Sequence, residues 1–139
     1  VRVPMIIYDP SEDANKNCEN AVKCGALISE NMKVLNQEMK TDFSEEIRFG
    51  MGIHSGDAIV GLMGYGKTFT DTVVGDNVNI ASRLEGLSKD YKAELVLSKY
   101  VADKAKLNLS EFENHVVKIR GRNQDLEILS IQDAAKMTI

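Results

Sequence analysis

The stretch Thr72-Val73-Val74-Gly75-Asp76-Asn77-Val78-Asn79-Ile80-Ala81-Ser82-Arg83-Leu84 constrains the fold most, because it joins a β-branched run to an amphipathic helix through a Gly-Asp break. Val73 and Val74 favour a strand and Gly75 ends it. Asp76 can cap a helix and set negative charge at its positive end, so the helix is predicted to start there. On that helix Ile80, Leu84 and Leu87 form an apolar stripe, while Asp76, Asn79 and Arg83 form a polar one. Arg83 offers a planar fork of donors suited to phosphate oxygens, and Asn79, one turn earlier, can bond a sugar or phosphate oxygen from the same face. A solvated helix face with no ligand is the competing reading.

The rest of the chain supplies strands and helices without strict alternation. Met5-Ile6-Ile7-Tyr8 reads as a short buried strand ended by Asp9-Pro10. Ser11 or Asp13 can cap a long helix in which Cys18, Ala21, Gly25, Ile28, Met32, Leu35 and Met39 recur as a core-facing stripe. Ile47, Phe49, Met51 and Ile53 alternate with polar residues and glycines. Ser55-Gly56-Asp57 then supplies turn chemistry, and Ala58 to Met63 reads as a returning strand, which predicts a β-hairpin. Glycines 50, 52 and 61 in these strands would let another backbone or a ligand come close. Beyond the signature helix come a strand over Glu94 to Leu97, a brief helix capped by Ser98 and running to Lys106, and strands over Phe112 to Ile119 and Leu126 to Ile131. The last two are joined by the basic turn Arg120-Gly121-Arg122-Asn123. This order predicts an α+β fold in a single domain over residues 1–139.

Composition excludes several functions. A net charge of −4 argues against a general nucleic-acid binder, and no stretch has the length of an apolar transmembrane helix. Cys18 and Cys24 fall on different helix faces with no companion His or Cys for a metal. They read as reduced thiols of a cytoplasmic protein, or of the cytoplasmic part of a larger one. His54 and His115 lack the partners of a nucleophilic triad and read as hydrogen-bonded structure. Gly61-Leu62-Met63-Gly64-Tyr65-Gly66-Lys67-Thr68 satisfies the P-loop pattern. A P-loop needs a helix opening at its Lys-Thr, and the β-branched run that follows is poor helix material, so Lys67 reads as a loop residue.

With Gly75, Val78, Asn79, Ala81, Arg83 and Leu84 in place, Thr72 to Leu84 resembles the signature of class III nucleotidyl cyclases, the adenylyl and guanylyl cyclase catalytic domain. Arg48 to Gly56 resembles the family's preceding strand and Gly turn, and Val117-Lys118-Ile119-Arg120-Gly121-Arg122 its basic turn near the C-terminus. The resemblance implies a ferredoxin-like core of the βαββαβ type and conversion of ATP to 3′,5′-cyclic AMP and pyrophosphate. By motif match Asn79 would hold the ribose and Arg83 would stabilise the α-phosphate. Arg120 would contact the terminal phosphates where the family usually carries Lys, a change that keeps the charge and alters the geometry. Thr72 matches the base-selecting position and favours adenine. The resemblance also implies Mg²⁺ or Mn²⁺ ions and a head-to-tail homodimer with a shared site.

The resemblance breaks at the N-terminal end. The family's metal-binding aspartates lie upstream of the signature, the second in a Gly-Asp pair before the strand that Met5 to Tyr8 resembles. On that alignment Val1-Arg2 stands where Gly-Asp would be. No metal ligand is therefore assigned. The chain reads as an N-terminally incomplete cyclase domain, inactive or nearly so alone, or alternatively as a degenerate regulatory or dimerisation module that binds nucleotide without turnover.

Overall fold

The computed structural model describes residues 4–8 and 12–138. A long helix, α1 (Ala14–Glu38), opens at Asp13, whose carboxylate accepts from the amides of Asn15 at 2.7 Å and Lys16 at 3.3 Å. Then follow β1 (Met51–Ile53), β2 (Ile59–Tyr65), β3 (Thr68–Val74), α2 (Asp76–Asp90), β4 (Leu95–Ser98), α3 (Lys99–Lys104), β5 (Glu113–Val117) and β6 (Leu126–Ile131). The α+β class stands. Four strands form one sheet in the order β1-β4-β6-β5, with β1 and β4 parallel and the other pairs antiparallel, while β2 and β3 form a separate ribbon.

β4, one of the sheet's two inner strands, explains the layering. Alternation along β4 sends Leu95 and Leu97 toward α1 and α3, where Val22, Val101 and Leu129 complete one core. Val96 faces the other way and meets Ile80, Leu84, Ile119 and Ile128 beneath α2. Both sides of the sheet are therefore covered. Each fully buried Leu or Ile contributes about 2 kcal/mol by leaving water.

β1 lies against α2 with almost nothing between them. A Cβ on Gly52 would collide with the Ala81 carbonyl and the Glu85 amide, and one on Gly50 with the Ser88 side chain. Gly52 does admit another backbone and Gly50 a serine side chain, whereas Gly61 has open space around it.

Several sequence expectations are corrected. Met5 to Tyr8 forms no strand: it has no ladder partner among the described residues, Met5, Ile6 and Ile7 are exposed, and only the Tyr8 hydroxyl reaches α1, at the Asn20 carbonyl. Val1-Arg2, the proposed replacement of Gly-Asp, lies outside the described residues. The predicted hairpin at Ser55-Gly56-Asp57 does not form either. β1 pairs with the distant β4, while β2 folds back on β3 around Gly66-Lys67 in the register Tyr65↔Thr68. Gly66, at φ 67°, takes the positive angle that the first position of such a two-residue loop needs. This hairpin occupies the P-loop pattern, so no helix opens at Lys67-Thr68, and Lys67 is a loop residue as the sequence indicated.

The inner face of α1 is rotated from the predicted stripe. Cys18, Val22, Gly25 and Ser29 are buried, while Ala21, Ile28, Met32 and Met39 are half-buried and Leu35 is exposed. Ser29 is accommodated because its hydroxyl donates to the Glu94 carboxylate at 2.5 Å, which also accepts from the Ala134 amide at 2.9 Å. Ser98 precedes α3 but makes no capping bond with its side chain, since its hydroxyl is engaged by His54.

Candidate functional site

The site is built on the first turns of α2. Gly75 is the N-cap and Asp76 the first helical residue, so the predicted start holds, although Asp76 does not act as the cap. Ile80 and Leu84 are buried under the helix, and the same periodicity leaves Asn79 and Arg83 exposed on the other face, one turn apart. Beyond β5, Ile119 is buried and anchors a turn whose neighbours Lys118 and Arg120 are exposed.

These pieces meet in a shallow depression of about 540 Å³ lined by Arg83, Lys118, Ile119, Arg120, Arg122, Asn123 and Asp125. Four cations face one carboxylate there. Among the described residues Arg83, Lys118 and Arg120 make no side-chain hydrogen bond or ion pair, which leaves their donors available to an anion. The structure thus brings Arg83 and Arg120 together and keeps Asn79 one turn along the same helix. Thr72 is not among the lining residues. It pairs with Gly61 in the β2–β3 ribbon, half-buried, and its hydroxyl donates to the Thr70 carbonyl at 3.2 Å.

Sequence reasoning missed the support behind the depression. Arg122 Nε donates to the Asp76 carboxylate at 2.6 Å, and Arg122 Nη2 to Asn77 Oδ1 at 3.3 Å. Asn77 is turned by its own amide, which donates to the Asp57 carbonyl at 2.8 Å, so Oδ1 must be the atom facing both Arg122 and His54 Nε2, the latter at 3.0 Å. An acceptor at that position requires the proton of His54 on Nε2. Nδ1 then accepts from the Ser98 hydroxyl at 3.0 Å. Burial holds the His54 pKa below its usual value against the opposing bond from Asn77, which fits a neutral ring. The alternation Lys118-Ile119-Arg120 could have pointed to Lys118 as well. Nothing local signalled the pairing of Arg122 with Asp76.

His115 is likewise structural, with Nε2 at 2.9 Å from the Ser130 hydroxyl and its ring stacked on Tyr91. Cys18 and Cys24 are free thiols, one buried and one half-buried. Among the described residues no three His, Cys, Asp or Glu side chains gather as a metal-binding group. Nor is any described helix long and apolar enough to cross a membrane. A larger hollow of about 1460 Å³ lies toward the opposite end of α2, lined by Phe43, Ile47, Arg48 and Lys89 among others, and holds none of Thr72, Asn79, Arg83 or Arg120.

The sequence profile of the adenylate and guanylate cyclase catalytic domain matches residues 5–131. The chain belongs to this family. Adenylate cyclase 1 of Rhizobium meliloti (strain 1021) is 32% identical over 116 residues, which cover 84% of this chain and 17% of that protein. The crystal structure of the adenylyl cyclase CyaB from P. aeruginosa superposes with a TM-score of 0.70 at 26% identity, over 88% of this chain and 63% of that one. A guanylyl cyclase crystal structure gives a TM-score of 0.73 at 22% identity, over 89% and 62%, and attests the fold alone. The cyclase-domain fold expected from the signature is thus the fold observed. The chain spans a small part of its Rhizobium relative's length.

Proposed function

We propose that the chain serves an adenylate cyclase, in which the 3′-hydroxyl oxygen of ATP attacks the α-phosphorus. The bond from that phosphorus to the pyrophosphate leaving group breaks, the hydroxyl proton passes to solvent, and 3′,5′-cyclic AMP and pyrophosphate result. The observation that carries this reading is the convergence of the unpaired Arg83 and Arg120 in one depression beside Lys118, a cation set matched to a polyphosphate. Arg83 stabilises charge developing on the α-phosphate, Arg120 holds the terminal phosphates, and Asn79 orients the ribose. Thr72 reads adenine once its weak local bond to Thr70 is exchanged for one to the base. The named adenylate cyclase relatives support ATP over GTP.

The family's chemistry draws on Mg²⁺ or Mn²⁺, and the described residues assign no side chain to that task. A second copy of the chain is the proposed partner, with the exposed apolar β2–β3 ribbon as the surface that supports it. A cytoplasmic setting agrees with the two free thiols.

The test is cyclic nucleotide formation from ATP and from GTP, with Mn²⁺ and with Mg²⁺, in the protein as its source makes it. Cyclic AMP from ATP is expected, and Arg83→Ala should lower kcat by about a hundredfold or more, the usual cost of deleting a preorganised charge at a transition state. Cyclic GMP as the main product would overturn the adenine assignment. Full turnover in Arg83→Ala would overturn the role of that arginine.

A further inference from the structure

Of the four cations in the depression, Arg83, Lys118 and Arg120 are unpaired among the described residues and Arg122 is tied twice. Its two acceptors, Asp76 and Asn77, are consecutive residues in the first turn of α2, and Asn77 is itself held from behind by His54 and the Asp57 carbonyl. Arg122 therefore grips a part of the helix that cannot easily turn away. Arg120 lies two residues before it, with the flexible Gly121 between them at φ 85°.

We infer that Arg122 is a positioning residue: through Asp76 and Asn77 it locks the basic turn that carries Arg120 onto the helix start that carries Asn79 and Arg83. This rests on the reading of the depression as a polyphosphate site. Without the lock the turn is held by little besides buried Ile119 and one backbone bond, from the Arg122 amide to the Ile119 carbonyl at 3.0 Å. The three unpaired cations repel one another, and Asp76 offsets that repulsion only while the turn stays closed. Asp76 is thus an acid that helps an anion bind. Simple charge counting gives the opposite sign, because removing a carboxylate beside a cation cluster ought to tighten anion binding.

The opposed signs supply the test. Inorganic tripolyphosphate is titrated calorimetrically into the chain and into Asp76→Ala, Arg122→Gln and Arg122→Lys. Positioning predicts that Asp76→Ala weakens binding about threefold, the scale of one lost exposed ion pair, and that Arg122→Lys weakens it similarly although the charge is kept. The double variant Asp76→Ala/Arg122→Gln should bind no more weakly than Arg122→Gln alone. Tighter binding in Asp76→Ala, with weaker binding in Arg122→Gln, would show Arg122 to be a direct anion contact and overturn the inference.

A second readout needs no ligand. Amide exchange at Gly121, Arg122 and Asn123 should quicken in Asp76→Ala and in Arg122→Lys while the core strands keep their protection, and unchanged exchange overturns the lock. If tripolyphosphate binding is absent, or indifferent to Arg83→Ala and Arg120→Ala, the polyphosphate reading fails and amide exchange alone decides whether the lock exists.

Discussion

β2 and β4 are both apolar strands, Ile59-Val60-Gly61-Leu62-Met63-Gly64-Tyr65 and Leu95-Val96-Leu97-Ser98, and they meet opposite fates. Every residue of β4 is buried and every residue of β2 is exposed; Leu97 shows none of its surface to water and Leu62 shows 70% of it. Their apolar character does not account for the difference. β4 has a hydrogen-bonded neighbour on each side and cores above and below, whereas among the described residues β2 has β3 alone and no layer over either face. A two-stranded ribbon is marginal by itself in water, so this one calls for cover. An apolar strand records only the need for cover, which the chain itself supplies at β4 and a second copy is proposed to supply at the ribbon.

The contrast can be broken first by equal truncations. Leu97→Ala should lower unfolding stability by about 3 kcal/mol, and Leu62→Ala in dilute protein by about 0.5 kcal/mol or less, both read from urea denaturation. Similar losses at the two sites would mean that the ribbon is as well packed as the sheet. Next, Phe69→Asp on the exposed ribbon should leave the dilute unfolding curve nearly unchanged yet weaken self-association by about tenfold in sedimentation equilibrium, as a charge does in an apolar contact. Unchanged association would remove the ribbon from the interface.

The smallest expected effect lies at the junction of the two regions, where His54 closes β1 and, through Asn77, holds Asp57 ahead of β2. Burial keeps the folded pKa of His54 below 6.5, its ordinary value, so the unfolded chain takes up the proton first as pH falls. Its contribution is whole above that value and diminishes as pH drops toward the lower folded pKa. The urea midpoint should therefore slip on acidification from about pH 7 to about pH 5.5, with a shallower slope in His54→Gln. Identical slopes in the two proteins would sink this account.

These differences set the limit of what the sequence could say. α2 was legible because a break, a charge and a 3.6-residue period coincide between Gly75 and Leu87, and they needed no distant partner. The ribbon was mispaired because Ser55-Gly56-Asp57 and Gly66-Lys67 are both plausible turns, and local chemistry could not see that β1 belongs with Leu95 to Leu97. Ser98 looked like a cap until a histidine from another strand claimed its hydroxyl. Asn79 and Arg83 stood out by their helical spacing and donor chemistry, and Thr72 and Arg120 through resemblance to a family signature. Arg122 did not, since its partner lies 46 residues earlier in the chain and the pair exists only once the sheet has formed.

The bare contact between β1 and α2 has a mechanical consequence. Where side chains separate two elements, rotamers absorb small displacements, but at Gly52 the strand's main chain rests directly on the backbone of the helix. The strand and the helix must travel as one piece. A force applied to β1, three residues long and paired on one edge only among the described residues, is delivered undamped to the helix that carries Asn79 and Arg83. Gly52 makes the strand a push-rod, and a side chain there would put a spring into it.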